Sequence, residues 1–369
     1  MTTTELDYSS DGIVQLMRTP EEERSLQWLK DALQQAIMLE LATLPPYLCG
    51  WWSLLEDTES GRAAAKAIGA IVYDEMSHLG HVCNMLTTIG GSPRLAHESV
   101  LAPYPCPLPG GVKPKINPEL EVFLSGLTKE SVKMFSEIEA PEKPLATFGA
   151  DEETFQSIGL FYTAILEAFE QHKGEIRGTR QVTWDMKGQG EGNSLFAIGK
   201  FEDAEHAIEI IKEQGEGTDQ TPENKFPGYK GELSHYYVFR EIFRGQKLIK
   251  IQETPPKWDF QGDAVPMPNA RPMGKVPKGG WAKTKDTVPG AAVKVELDKF
   301  NLAFSEMLRS LEKAWQQDNE KDVAAHMIAA IYTHMYALRE PAIKLMEMPL
   351  PQDRKKSYGP EFRYVLPKS

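Results

Sequence analysis

The chain has 369 residues, 41% hydrophobic and 25% charged, the profile of an ordinary globular protein long enough to bury a sizeable core. Its formal net charge of -12, with no basic cluster to reverse it, argues against a nucleic-acid partner. No apolar run reaches the roughly eighteen residues of a membrane span, and three cysteines without Cys-x-x-Cys spacing (Cys49, Cys83, Cys106) suit a reducing cytoplasm.

Residues 1–20 read as polar and irregular, and Met1-Thr2-Thr3-Thr4-Glu5 has neither the basic nor the apolar part of a leader. Thr19-Pro20-Glu21-Glu22 has the residues of a helix start, and the helix is expected to run to about Leu55. Leu26, Leu29, Leu33, Ala36 and Glu40 share one stripe of it, which places an acid on a core line. Pro45-Pro46 should kink or interrupt this helix one turn later.

A polar turn at Asp57–Gly61 leads into a second helix that stops at Gly90-Gly91-Ser92-Pro93. Ile68, Ile71, Glu75, His78, Val82 and Met85 form its buried stripe. A carboxylate and an imidazole on a core line each cost several kcal/mol unless compensated, and a metal ion is one compensation. Glu40 lies about as far before the turn as Glu75 lies after it. At ~1.5 Å rise per residue, an antiparallel hairpin brings the two to one level.

Residues 91–150 are rich in Pro and Gly and read as a long crossover, with a short helix near 118–136. A third long helix is expected over 152–176, with Ile158, Phe161, Ile165 and Phe169 inward, and a shorter one over 202–214. The fourth bundle helix opens at Gly231-Glu232-Leu233-Ser234-His235. Glu232 and His235 there repeat the Glu-x-x-His spacing, on a line continued by Phe239 and Ile242. Residues 250–294 read as a Pro/Gly-rich wrapping segment, and 295–369 as a helical hairpin (295–317, 320–347) with an irregular tail. The expected fold is thus all-α: a four-helix bundle over 21–249 with a long crossover, wrapping loops and a C-terminal helical hairpin.

Bundles that bind two metals through carboxylates supply one Glu from each of two helices and a Glu-x-x-His from each of the other two. Glu40, Glu75, His78, Glu232 and His235 fill five of these six places. Glu213, on the inner side of the short helix, is the preferred sixth, with Glu216 and Glu167 as alternatives. Glu167 turns away from the stripe of its helix. His81, one turn after His78, is a further candidate ligand or neighbour, and Asp74 could hold a ligand imidazole. One Glu-x-x-His alone is more often a buried ion pair than a metal site; two, joined by Glu40, favour metal.

Several blocks together resemble the ferritin-like domain named for iminophenyl-pyruvate dimer synthase. They are Glu40-Leu41-Ala42-Thr43-Leu44-Pro45-Pro46-Tyr47-Leu48, Asp74-Glu75-Met76-Ser77-His78 and Pro105-Cys106-Pro107-Leu108-Pro109-Gly110-Gly111, joined by Ile158-Gly159-Leu160-Phe161-Tyr162, Glu213-Gln214-Gly215-Glu216-Gly217-Thr218, Glu232-Leu233-Ser234-His235-Tyr236-Tyr237 and Tyr358-Gly359-Pro360-Glu361-Phe362. The resemblance spans roughly residues 25–365. Leu160 departs from it, standing where a polar or acidic residue is expected. The resemblance favours Glu213 or Glu216 over Glu167 and implies oxidative coupling of an amino-acid-derived imine.

The functional expectation is an O2-dependent oxidase or oxygenase with two metal ions, iron first and manganese as the alternative. Its substrate would be a small aromatic or amino-acid-derived metabolite of secondary metabolism, held near Tyr47, Trp51 and Trp52. The competing readings are a non-catalytic iron-binding protein and a partner-binding helical protein with a vestigial site. No nucleic-acid or membrane partner is expected, the compartment is the cytoplasm, and a homodimer is the assembly to test.

Overall fold

The N-terminal segment read as irregular contains a short helix, α1 (Gly12–Met17), in the computed structural model of the chain, which describes residues 7–114, 116–141, 158–185, 194–215, 221–224 and 231–367. Six residues are too few to show a period. Ile13 is fully buried beneath the turn of the crossover at Gly110. Gly110 has φ +71°, and a Cβ there would lie 2.4 Å from Ile13 Cγ1, so this contact requires glycine.

Helix α2 (Leu26–Ser53) is capped by Ser25, whose side chain accepts from the Trp28 amide. It begins later than Thr19-Pro20 suggested, and Pro45-Pro46 do not end it. A proline at position 46 has no N–H for the Ala42 carbonyl. The Tyr104 hydroxyl, from the crossover, donates to that carbonyl at 2.6 Å and replaces the missing partner. Helix α3 (Glu59–Thr88) is capped by Thr58, and its Ile68–Met85 stripe is buried as the spacing predicts.

In the crossover, Thr128 and Ser131 form a capping box that starts α4 (Lys129–Ile138). Helix α5 (Ile158–Gln171) buries Phe161, Ile165 and Phe169 and packs on α2 and on α6 (Phe201–Gly215). Helix α7 (His235–Arg244) is short and lies against α4.

Two antiparallel strand pairs stand where no strand was expected: β1 (Trp184–Asp185) with β2 (Ser194–Leu195), and β3 (Gln246–Gln252) with β4 (Lys257–Ala264). Within β3 only Leu248 is buried, so the strand has no alternating apolar pattern to read. The C-terminal helices are α8 (Ala291–Ala314), α9 (Glu320–Ile328) and α10 (Arg339–Glu347), the last two joined through a π-helical stretch at Ala329–Met335. Just beyond α8, Trp315 donates its indole N–H to Asn84 of α3 at 2.8 Å, docking this layer on the bundle. Among the described residues no helix is long and apolar enough to cross a membrane.

Candidate metal centre

Helices α2 and α3 run antiparallel, and their register brings Glu40 and Glu75 together as the distance from the turn predicts. The Thr43 hydroxyl donates to Glu75 Oε2 at 2.7 Å across this hairpin. His78, one turn beyond Glu75, places Nδ1 3.4 Å from Glu75 Oε1 and 3.8 Å from Glu40 Oε2. On the other side of Glu75, His235 Nδ1 lies 3.0 Å from the same Glu75 Oε1 and 3.8 Å from Glu139 Oε2. Two donor groups result, Glu40–Glu75–His78 and Glu75–Glu139–His235, each with its ligand atoms within 4.8 Å of one another and Glu75 common to both.

The hydrogen bonds around these donors mirror this arrangement. Tyr162 of α5 donates its hydroxyl to Glu40 Oε1, and Tyr47 of α2 donates to Glu139 Oε1 at 2.5 Å. On the far side of the imidazoles, Gln214 of α6 donates Nε2–H to Asp74 Oδ1 at 3.1 Å, so its carbonyl faces His78 Nε2 at 2.6 Å. Asp74 Oδ2 faces His235 Nε2 at 3.2 Å. Both Nε2 atoms therefore carry protons, and both Nδ1 atoms are left to face the carboxylates. One chain, His78–Gln214–Asp74–His235, orients both rings.

The structure brings together four of the sequence-predicted ligands: Glu40, Glu75, His78 and His235. It does not bring Glu232 with them. Glu232 is exposed and precedes the helix, which starts only at His235 with Ser234 as its N-cap. Its carbonyl accepts from the Asn224 amide in an extended segment, so the Glu-x-x-His spacing is not helical there. Glu213 is buried on α6 but joins neither donor group; its neighbour Gln214 reaches the centre. Glu167 is turned outward and pairs with Arg24 at 2.7 Å. Glu216 lies outside the described residues. His81 is buried against the Phe196 ring and joins neither group; burial, with the charges of His78 and His206, pushes it down to about 3, so it stays neutral. Of the expected substrate aromatics, Tyr47 serves Glu139, Trp51 packs on Tyr73, and Trp52 stacks on Phe362.

Glu139 stands in the second donor group, where the sequence pattern pointed to Glu232. It is the C-cap of α4, on the line Val132–Phe135–Glu139, and that spacing was the available signal.

Without metal, protons neutralise this cluster. Burial lifts the Glu40 carboxyl to about 8, and the Glu75 charge adds to the effect. Burial opposes charge on His78, but Glu75 and then Glu40 outweigh it and raise the ring to about 9. His235 is likewise held well above its usual range, against burial, by Asp74, Glu139 and Glu75. Glu75, despite burial, is held well below the carboxylate range by His235 and His78.

Glu40 (4.5 when unfolded) and His78 (6.5 when unfolded) thus bind protons more tightly in the folded chain. Their contribution to stability is full below those values and is lost as pH rises through about 8 and about 9. The unfolding midpoint of the chelator-treated protein should therefore fall between pH 6.5 and 9. A flat midpoint across that range in thermal melts would contradict the protonated cluster.

The donor set suits hard or borderline divalent cations, with carboxylate oxygens to bridge and one imidazole for each position. His235 Nδ1 is buried with no hydrogen bond of acceptable geometry, as a nitrogen aimed at a cation would be. Gly215, the last residue of α6, leaves the Glu139 carboxylate its room, because a Cβ there would lie 3.1 Å from Oε2. The residues fit two metal ions.

Residues 33–244, more than half of the chain, match the ferritin-like family. The chain belongs to this family. Among solved structures, it is similar to a ferritin-like protein from Caulobacter vibrioides, at 21% identity and a TM-score of 0.58, over 92% of this chain and 98% of that one. At that identity the likeness establishes the fold alone. No curated protein matches the chain. Within this ferritin-like protein, the residues that could hold metal come from α2, α3, the end of α4 and the start of α7, while α5 and α6 supply the groups that hold them.

Proposed function

We propose that this chain is a non-haem dimetal oxidase or oxygenase of the di-iron type, acting on a small aromatic or amino-acid-derived molecule with O2 as co-substrate. The observation that carries the reading is the junction of the shared-carboxylate centre with an apolar pocket. Leu39, Ile138, Ile158 and Ile211 line this pocket together with Glu40, Glu75, His78, Glu139 and Tyr162, around a cavity of about 30 Å³. Apolar walls reaching the ligands favour an organic substrate over a path for hydrated iron.

Glu40, Glu75 and His78 would hold one metal, and Glu75, Glu139 and His235 the other; bound there, iron supplies the capacity to activate O2. The chain's own residues do the rest. Thr43 fixes one oxygen of Glu75, leaving the other between the two imidazoles. The two tyrosines each occupy one oxygen of a terminal carboxylate and leave the second toward the metal position. Tyr162 also lines the pocket, which sets its hydroxyl proton, held on Glu40 Oε1, at the substrate wall. The apolar walls exclude water from reactive species. The buried thiols of Cys49, Cys83 and Cys106 are consistent with a reducing cytoplasm.

Resemblance to the iminophenyl-pyruvate dimer synthase domain supports oxidative coupling as the reaction class. The test is anaerobic iron loading followed by O2 uptake. About two irons per chain, with uptake dependent on an added aromatic amino-acid-derived compound, is the expected result. Continued O2 uptake with added Fe(II) alone, building an iron core, would favour storage. Retention of well below one metal per chain would overturn the centre.

A further inference from the structure

We propose that Lys212 is the anion anchor of the pocket, and that the substrate is an amphiphile with an apolar body and one carboxylate end. The proposal rests on the dimetal reading of this pocket and adds the role of its cationic lining residue. Lys212, on α6 between Ile211 and the buried Glu213, is the one lysine or arginine among the described lining residues. Its ammonium donates to Thr163 Oγ1 at 2.8 Å. That hydroxyl spends its own proton on the Gly159 carbonyl at 2.9 Å, so it offers Lys212 a neutral lone pair only.

Among the described residues, no carboxylate lies within ion-pair distance of Lys212, in a chain whose acids outnumber its lysines and arginines 53 to 41. An ammonium has three donors, and one is used. The other two belong to a half-buried cation beside an apolar wall, where a charge-assisted partner is worth more than it is in open water. Ile158 and Gly159 of α5 and Ile211 of α6 line the same pocket as Lys212 and the candidate metal ligands, giving the body of a bound molecule apolar contacts. An anion held by Lys212 can thus place its apolar part against these walls. A cationic or doubly charged molecule would meet either the ammonium or the apolar wall unfavourably.

The experiment uses the full chain loaded with redox-silent Zn(II) and measures calorimetric affinity for phenylpropionate, its neutral amide and phenethylamine. Wild type should bind the carboxylate about ten-fold or more tighter than the amide, and the amine most weakly. Lys212→Met should remove the preference while leaving amide affinity and zinc content unchanged, and Lys212→Arg should restore it. Equal carboxylate-to-amide ratios in wild type and Lys212→Met, or no binding of either probe by wild type, would overturn the anchor. If wild type takes up no zinc, the dimetal reading fails separately, and the same ratios are read on the metal-free chain.

Discussion

Glu75→Gln should empty both metal positions at once, whereas Glu40→Gln should weaken one and spare the other. The reason is connectivity: Glu75 belongs to both donor groups, with one oxygen facing both imidazoles, and Glu40 belongs to one. An amide keeps the shape and the hydrogen bond with Thr43 but cannot bridge two cations. Metal analysis after reconstitution should give close to zero for Glu75→Gln and about one per chain for Glu40→Gln, against about two for wild type. The metal-free Glu75→Gln protein should also be less stable by about 3 kcal/mol at neutral pH, since two buried imidazoles whose ring centres are 5.8 Å apart lose the anion between them. Retention of two metals by Glu75→Gln would show that the groups do not share it.

Much of this architecture could be read from residue spacing because two helices carry regular apolar stripes between clear stops. From Thr58 to Gly90 no proline interrupts α3, and the stripe through Glu75 and His78 is buried as its period requires. The pairing of Glu40 with Glu75 follows from equal distance to the turn. Where the reading failed, local pattern and tertiary packing disagree. Pro45-Pro46 would interrupt an isolated helix, but Tyr104, some sixty positions away, supplies the lost donor. The β3–β4 hairpin carries exposed Ile249 and Ile251 and shows two register shifts, so no clean alternation marks it. Glu213 lies on an inward line, yet the next residue, Gln214, reaches the ring nitrogen. Spacing alone cannot show which of two buried neighbours points at the centre.

The substitution that separates pattern from packing is Glu139→Ala set beside Glu232→Ala. Glu232 satisfies the motif in sequence, but the motif presupposes a helix that begins three residues later, at His235. A side chain in the extended segment before an N-cap is not a helical neighbour of the fourth residue, whatever the count between them. Glu139 has no His three positions away, yet α4 ends where α7 begins, and its carboxylate lies 3.8 Å from His235 Nδ1 with Tyr47 and Gly215 built around it. Glu139→Ala should therefore release one of two metals, leaving the position of Glu40, Glu75 and His78 occupied. It should also strip the Tyr47 hydroxyl of its buried acceptor, at about 1–3 kcal/mol. Glu232→Ala should keep both metals and change stability by less than about 0.5 kcal/mol, as exposed substitutions do. Metal stoichiometry and melting of the two variants decide the question together. Loss of a metal from Glu232→Ala with none lost from Glu139→Ala would mean that the start of α7 rearranges into a longer helix when the centre is filled.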